Sequence, residues 1–229
     1  MAPSTGVYEI RVKVTDGEAT ASQIFKVTVT DRVITDTLII RGTTGCDIIK
    51  VCEEDGGLLK VSINGEKTSY KLANGTEIKV LGLDGNDKII LAGLHRNATV
   101  EGGNGNDLID GRAVRDGNLT LKGGNGNDIL LGGKGNDLLD GGAGCDILIG
   151  GGGNDILVGR KGDDKLFGGR GDDILKGGYG DDLLVGGPGN DKLDGGSGCD
   201  RLIDRDACRP SKDACGSKSW VKEFVGRHG

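Results

Sequence analysis

The chain has 229 residues, of which 35% are hydrophobic and only 3% aromatic, so it lacks the bulky side chains of a conventional wide core. Glycine takes 46 positions and proline only 3, which excludes collagen and a proline-rich linker. A net charge of −6 without a basic cluster argues against a nucleic-acid binder, and no apolar run approaches the ~20 residues of a transmembrane segment.

Residues 1–32 predict a β-hairpin. Apolar residues alternate with polar ones in two stretches, and Asp16 and Gly17 between them favour a turn. The apolar positions are Tyr8, Ile10, Val12 and Val14, then Phe25, Val27 and Val29. Because two strands are rarely stable alone, we expect the last hairpin of an immunoglobulin-like or cadherin-like domain, and hence the C-terminal part of a larger protein.

Residues 33–122 contain three separate copies of a nine-residue unit. They read GTTGCDIIK at 42–50, GLDGNDKII at 82–90 and GGNGNDLID at 102–110. Their aspartates, Asp47, Asp87 and Asp107, precede Asp128 with separations of 40, 20 and 21 residues. This spacing predicts irregular coils of about twenty residues with the glycine-rich turn on one edge only. One coil, near Asn64 and Gly65, would then lack that turn.

Residues 123–203 divide without gaps into nine such units. The fourth position is always glycine, the sixth always aspartate and the eighth always leucine. The units are GGNGNDILL, GGKGNDLLD, GGAGCDILI, GGGGNDILV, GRKGDDKLF, GGRGDDILK, GGYGDDLLV, GGPGNDKLD and GGSGCDRLI.

This unit predicts an all-β solenoid of stacked parallel coils. Glycines permit positive φ, so six residues can turn tightly and three remain for a strand. The eighth side chain then points inward while its neighbours at positions seven and nine face out. Two units make one eighteen-residue coil, and coils stack about 4.8 Å apart. We expect the inward leucines to be Leu130, Leu139, Leu148, Leu157, Leu166, Leu175, Leu184, Leu193 and Leu202.

Stacking places the position-six aspartates in two rows, one along each edge. The first row is Asp87, Asp107, Asp128, Asp146, Asp164, Asp182 and Asp200, and the second is Asp137, Asp155, Asp173 and Asp191. Carboxylates about 4.8 Å apart repel one another, so the stack needs a cation between adjacent turns. Carboxylate and carbonyl oxygens are the ligands that Ca²⁺ prefers, and we predict calcium sites at these aspartates.

The unit resembles the haemolysin-type calcium-binding repeat, also called RTX, whose consensus is GGxGxDxUx. The resemblance covers residues 123–203 continuously, and Arg160 departs from it by replacing the second glycine of its unit. It implies a right-handed parallel β-roll, extracellular residence, folding driven by millimolar calcium, and ions shared between alternate turns. It also suggests type I export, although the tail after the roll is short.

One ion between each adjacent pair of aspartates gives at most about nine. Residues 123–203 contain 14 Asp and 8 Lys or Arg, a net of −6, and the seven sites within them would bring the loaded roll to +8. Two hypotheses follow: terminal sites stay empty, or the loaded roll is cationic and attracts polyanions such as acidic polysaccharide or a cell surface.

Residues 204–229 are expected to cap the last coil with an apolar cluster of Trp220, Val221, Phe224 and Val225. Among the six cysteines, Cys145 and Cys199 stand three coils apart, too far for a bond, and are expected to be free thiols. Bridges are plausible between Cys208 and Cys215 and between Cys46 and Cys52.

Catalysis is not expected, because His95 and His228 are the only histidines and the common hydrolase motifs are absent. The leading hypothesis is a non-enzymatic calcium-binding module of a secreted or surface protein, which folds on Ca²⁺ after export. The alternative is an accessory module of a secreted enzyme, such as an alginate epimerase, protease or lipase, or of an adhesin.

Overall fold

The computed structural model describes residues 6–15, 20–30, 33–34 and 37–204. These residues contain no helix, and they form a parallel β-solenoid of about seven turns, consistent with a β-roll. The strands are β1 (Gly6–Thr15), β2 (Thr20–Thr30), β3 (Val33–Ile34), β4 (Thr37–Arg41), β5 (Ile48–Glu54), β6 (Leu58–Ile63), β7 (Glu66–Leu72), β8 (Glu77–Asp84), β9 (Lys88–Ala92), β10 (Ala98–Asn104), β11 (Leu108–Ala113), β12 (Leu119–Asn125), β13 (Ile129–Leu131), β14 (Leu138–Ala143), β15 (Ile147–Gly152), β16 (Ile156–Lys161), β17 (Lys165–Arg170), β18 (Ile174–Tyr179), β19 (Leu183–Val185), β20 (Lys192–Ser197) and β21 (Arg201–Ile203).

The strands form two sheets, and the chain passes from one sheet to the other within each coil. Sheet A has the strand order β1-β2-β3-β7-β6-β5-β9-β11-β13-β15-β17-β19-β21. Sheet B has the order β20-β18-β16-β14-β12-β10-β8-β4. From β8 onward each strand pairs in parallel with the strand two places along the chain, so the turns of successive coils lie above one another.

The predicted hairpin at the N-terminus is present. β1 pairs with β2 in antiparallel register, from Gly6 opposite Val29 to Thr15 opposite Thr20. The predicted turn at Asp16 and Gly17 lies outside the described residues. β2 then pairs with β3, and β3 pairs in parallel with β7, so the hairpin continues sheet A.

Strand register confirms both predicted coil lengths. In the contiguous units Leu139 lies opposite Leu157 and Leu157 lies opposite Leu175, in steps of eighteen residues. In the upstream coils Ala98 lies opposite Ile78 on one side and Leu119 on the other, steps of 20 and 21 residues.

The strands are longer than the three residues predicted. β14 to β18 and β20 have six residues each, because pairing continues through positions one to three of the next unit. Gly142 and Ala143, for example, pair with Arg160 and Lys161 of the next coil. Only β13, β19 and β21 keep the predicted length among the strands of the contiguous units. Glycines with positive φ therefore bend the chain without ending the ladder of backbone hydrogen bonds.

The prediction of a separate coil near Asn64 and Gly65, lacking the glycine-rich turn, is wrong, because β4 pairs directly with β8 and leaves no coil between them. Residues 48–72 form an antiparallel meander in which β5 pairs with β6 and β6 with β7. Asn64 and Gly65 have φ of 51° and 92° and make the tight turn between β6 and β7. Such a pair of positive φ values suits a two-residue hairpin turn, a local signal that outweighs the spacing of the aspartates.

The core is a row of aliphatic side chains between the two sheets. Seven of the nine predicted leucines, from Leu130 to Leu184, are fully buried, while Leu193 and Leu202 in the last coil are partly buried. Ile49, Ile89 and Ile109 occupy the same position in the three upstream units and are also fully buried. The alternation of inward and outward residues thus follows the period of two.

Arg160 adopts the backbone conformation of the repeat although it replaces a glycine. Its φ is 83°, in the left-handed region that a glycine would adopt, and its pairing with Gly142 and Gly178 keeps the register. Its guanidinium Nη2 donates to Asp140 Oδ2 at 2.5 Å. This bidentate ion pair with Asp140 accompanies a backbone conformation that costs a non-glycine residue energy.

The cysteine prediction is confirmed for Cys145, and it is wrong for Cys199 and for the bridge between Cys46 and Cys52. Cys145 is a free thiol, and Cys46 and Cys52 are both free as well, so no bridge joins them. Cys199 is disulfide-bonded and not a free thiol. The expected Cys208 to Cys215 bridge and the expected C-terminal cap fall outside the described residues, which end at Asp204.

Candidate metal centre

The position-six aspartates line the two edges of the solenoid and are linked from coil to coil. The backbone N–H of each aspartate donates to Oδ1 of the aspartate one coil further along, as from Asp137 to Asp155 at 2.7 Å and from Asp155 to Asp173 at 2.8 Å. We call the two rows rim 1 and rim 2. Rim 1 contains Asp47, Asp87, Asp107, Asp128, Asp146, Asp164, Asp182 and Asp200. Rim 2 contains Asp137, Asp155, Asp173 and Asp191.

The second carboxylate oxygen of most of these aspartates is buried without a hydrogen-bond donor. Asp155, for example, is 1% exposed, and its Oδ2 has no hydrogen-bond partner. The same holds for Oδ2 of Asp87, Asp107, Asp128, Asp146, Asp164, Asp173, Asp182 and Asp200. A buried carboxylate oxygen without a donor is costly, so these atoms are positioned for a ligand that supplies positive charge.

Each orphaned oxygen faces a gap that only glycine leaves open. A Cβ on Gly150, the first residue of its unit, would lie 2.3 Å from Asp155 Oδ2 and 2.7 Å from the carbonyl oxygen of Gly168 one coil further along. On rim 1 a Cβ on Gly159 would similarly meet Asp164 Oδ2 at 2.2 Å and the Gly177 carbonyl at 2.7 Å. Oxygens of two adjacent turns therefore converge on one space.

Burial shifts the titration of these carboxyls upward. Loss of hydration raises the pKa of Asp155 to about 7, the N–H of Asp137 opposes this shift, and the charges of Asp137 and Asp173 add to it. Desolvation likewise raises the pKa of Asp87, Asp128 and Asp164 to about 7 and that of Asp146, Asp173 and Asp182 to about 6, and it raises those of Asp107 and Asp137. Without a cation, ionised carboxylates in the two rims are energetically unfavourable.

The donor set fits a hard cation with oxygen ligands. Within residues 37–204 no group of three or more His, Cys, Asp or Glu side chains could hold a metal ion. At the gaps beside Asp155 and Asp164, the nearby oxygens are the aspartate Oδ2 and a backbone carbonyl oxygen of the next coil. Ca²⁺ accepts such mixed sets of six to eight oxygens, whereas Zn²⁺ and copper prefer nitrogen or sulfur.

The first aspartate of each rim is already satisfied by the protein. Asp47 Oδ2 accepts from Thr43 N at 2.5 Å, and Asp47 Oδ1 accepts from Asn64 Nδ2 at 2.5 Å. On rim 2 Asp137 Oδ2 accepts from Gly133 N at 2.6 Å. The rims thus begin at turns that need less from a cation, and the hydrogen bonds of Thr43 and Asn64 were missed by the sequence reasoning.

A second ladder, also missed, runs along position five. Oδ1 of each Asn or Asp there accepts from the backbone N–H one coil further along, as from Asn154 N to Asn136 at 2.7 Å and from Asp172 N to Asn154 at 2.9 Å. These side chains are exposed, so the ladder braces the outside of each turn while position six lines the inside. The signal was available, because position five is Asn, Asp or Cys in all nine units.

Comparison with protein families bears on the same residues. A family model described as the RTX calcium-binding nonapeptide repeat matches four times, at residues 96–113, 115–148, 141–175 and 167–202. Residues 96–113 and 115–202 thus match the RTX calcium-binding nonapeptide repeat. The RTX repeat is a structural calcium-binding module and not a catalytic one, and RTX repeat proteins are typically secreted.

The RTX match includes ten of the eleven predicted site aspartates, from Asp107 to Asp200, whereas Asp87 lies upstream of it. The comparison with curated proteins and the comparison with solved structures gave no significant match. None of the residues that the structure describes form a helix long and apolar enough to cross a membrane.

Proposed function

We propose that this chain is a calcium-binding module of a secreted or surface protein, and that its RTX coils complete their folding when they bind Ca²⁺ after export. The proposal rests on the row of orphaned carboxylate oxygens that are buried beside carbonyl oxygens of the next coil. The predicted sites are the position-six aspartates from Asp87 on rim 1 and from Asp137 on rim 2, with up to about nine ions.

Two kinds of protein group would hold such an ion. Position-six carboxylates supply negative charge through Oδ2, while Oδ1 stays bound to the preceding turn and fixes the side chain. First-position glycines leave the gap open and contribute carbonyl oxygens. A bound divalent cation would neutralise carboxylates that burial otherwise disfavours, so binding free energy becomes folding free energy.

Circular dichroism of the chain with and without about 5 mM Ca²⁺ tests this proposal, since extracellular calcium modules bind in the range of about 0.1–1 mM. We expect β-structure to increase with Ca²⁺ and to increase far less with Mg²⁺, which releases its water reluctantly. A spectrum that does not respond to Ca²⁺ would overturn ion-coupled folding.

Two glycines of one turn provide a matched pair of variants. Gly150→Ala places a methyl group 2.3 Å from Asp155 Oδ2, whereas a Cβ at Gly152 meets nothing within 4 Å. We expect Gly150→Ala to lose about one bound Ca²⁺ by isothermal titration calorimetry, and Gly152→Ala to bind like the wild type. Equal stoichiometry in both variants would remove the assigned gap from the site.

The second candidate is a calcium-dependent accessory module that binds polyanions. Within residues 123–203, 14 Asp oppose 8 Lys or Arg, and seven ions would reverse the sign of the net charge. Electrophoretic mobility measured during a Ca²⁺ titration separates the hypotheses. A loaded form that still migrates as an anion would exclude polyanion attraction through net charge and favour empty terminal sites.

The same proposal holds that the protein is secreted, that this chain is not catalytic and that it belongs to a larger parent protein. Reading the gene upstream distinguishes the alternatives. A preceding catalytic domain would favour an accessory module of a secreted enzyme, and tandem hairpin-rich domains would favour an adhesin.

A further inference from the structure

The outer face of sheet A carries an uninterrupted apolar row. The ninth residues of successive units pair in register from Leu131 to Ile149, from Ile149 to Phe167, from Phe167 to Val185 and from Val185 to Ile203. We call these five residues the sheet A stripe. Ile149 is 37% exposed, Phe167, Val185 and Ile203 are half-buried, and Leu131 is buried, so the accessible part of the stripe runs from Ile149 to Ile203.

The same repeat position on sheet B is mostly charged. Lys122, Asp140, Val158, Lys176 and Asp194 follow one another there in register. Since the backbone and the repeat position are the same on both faces, the fold does not require apolar residues at position nine. Five consecutive apolar residues on one face indicate that this face is covered.

We propose that the sheet A stripe is the docking surface for the C-terminal tail of this same chain, residues 205–229. The tail follows directly from β21, whose last residue, Ile203, is also the last member of the stripe. Cys199 in the turn before β21 is disulfide-bonded, while Cys46, Cys52 and Cys145 are free. The two remaining cysteines of the sequence, Cys208 and Cys215, both belong to the tail.

The sequence of the tail supplies apolar residues for part of the stripe. Trp220, Val221, Phe224 and Val225 are spaced as on one side of a helix. On a helix, residues 220–225 would rise about 8 Å, whereas the four strand spacings of the stripe span about 19 Å, so this segment would cover about two coils. Residues 205–219 are long enough to let that segment reach any part of the stripe.

Trp220 gives a direct readout because it is the only tryptophan of the chain. In the full-length, calcium-loaded protein we expect its emission to be blue-shifted relative to the denatured chain. Phe167→Lys should move the emission toward that of the denatured chain. Val158→Lys, at the same repeat position on sheet B, should leave it unchanged. Lys176 already occupies this position on sheet B, so the fold tolerates the substitution there.

Ile149→Ser is a milder second stripe variant, and circular dichroism in Ca²⁺ checks that each variant keeps the wild-type fold. A wild-type Trp220 that already emits like the denatured chain would overturn the proposal. So would folded stripe variants with unchanged emission. An emission that responds only to Leu202→Ala would assign the tail to the open end of the last coil. An emission that depends on protein concentration would assign the stripe to a second copy of the chain. Either result overturns the proposal.

Discussion

Residues 37–122 and residues 123–203 build coils of the same solenoid with different stabilising interactions. Within the described part of the chain, the buried core cluster has 26 members, of which 19 lie in residues 37–122 and 7 in the contiguous units. The contiguous units place one leucine per nine residues in the core, whereas the upstream coils pack several aliphatic side chains each. The upstream region can therefore rely on apolar burial, and the repeats need another source of stability.

The buried polar groups of the two regions also differ in whether the protein itself supplies their partners. Upstream, Glu53 is buried against Arg96, whose Nη2 lies 2.6 Å from Glu53 Oε1 and whose Nη1 donates to the Ala73 carbonyl at 3.2 Å. Asp47 is likewise satisfied by Thr43 and Asn64. Most buried carboxylates of the repeats lack a donor for Oδ2, although Gly133 N supplies one to Asp137, and the upstream Asp87 and Asp107 lack one as well. The comparison shows that one backbone architecture can satisfy its acids internally or leave them for a cation.

The largest expected effect is the removal of calcium. In excess chelator we expect residues 123–203 to lose protection from amide hydrogen exchange, while residues 37–80 keep theirs because their acids and core are satisfied without a metal. Hydrogen exchange with mass spectrometry, with Ca²⁺ restored as the control, measures both regions in one sample. Equal loss of protection in both regions would contradict the comparison.

A change of pH should act on the repeats in the calcium-free state. The folded pKa of Asp155 and Asp164 is raised to about 7, so the folded chain binds more protons than the unfolded chain between about pH 4 and pH 7. The free energy of unfolding is then greatest below the unfolded pKa and falls as the pH rises through the folded pKa. Thermal melting in chelator should give a higher Tm at pH 5 than at pH 7.5.

With Ca²⁺ present the trend should reverse, because protons compete with the ion for the same carboxylates. A calcium-free Tm that rises from pH 5 to pH 7.5 would show that burial does not control these groups.

The core substitution Leu157→Ala should cost about 2–5 kcal/mol in the calcium-loaded protein, because Leu157 is fully buried and the glycine-rich coils offer few side chains to fill the cavity. Ile156→Ala is the neighbouring control, since Ile156 is 42% exposed, and it should change the free energy of unfolding by less than about 0.5 kcal/mol. Chemical denaturation measures both. Similar costs for the two variants would mean that the leucine row is not the core of the repeats.

The smallest expected effect concerns the metal-independent start of rim 1. Asn64→Gly keeps the positive φ of that turn but removes the amide that donates to Asp47 Oδ1. We expect a loss of about 1–3 kcal/mol that is the same with and without Ca²⁺. Asn104→Ala is the control, since it removes exposed hydrogen bonds with Asp84 and Asn125 and does not touch Asp47. A cost that appears only in the presence of Ca²⁺ would indicate that Asn64 supports an ion site.

Local pattern was enough to predict most of the repeat region. Position eight points inward at Leu130 and Leu157 because strand side chains alternate, and register follows from a period without gaps. The two rows of aspartates could be predicted for the same reason. The strand lengths could not, because glycine favours a turn in sequence yet can still pair with the coil above, as Gly142 does with Arg160.

The upstream region was harder to predict because its decisive contacts join distant residues. Asp47 and Asn64 meet only because β5, β6 and β7 fold into a meander. Similarly, Glu53 meets Arg96 across 43 positions of the chain. Neither pair belongs to a repeating spacing, so the isolated unit at residues 42–50 resembled the calcium-binding units although the oxygens of Asp47 already accept hydrogen bonds from Thr43 and Asn64.

A strict period of nine residues was sufficient by itself to predict the parallel stack, the leucine row and the alignment of acids along two edges. Each of these features follows from repeating one local geometry. Folding in three dimensions decided which acids keep an unsatisfied oxygen, because that depends on whether a donor arrives from elsewhere in the chain. It also decided that sheet A presents an apolar outer row, since a side chain's neighbours are settled by strand pairing.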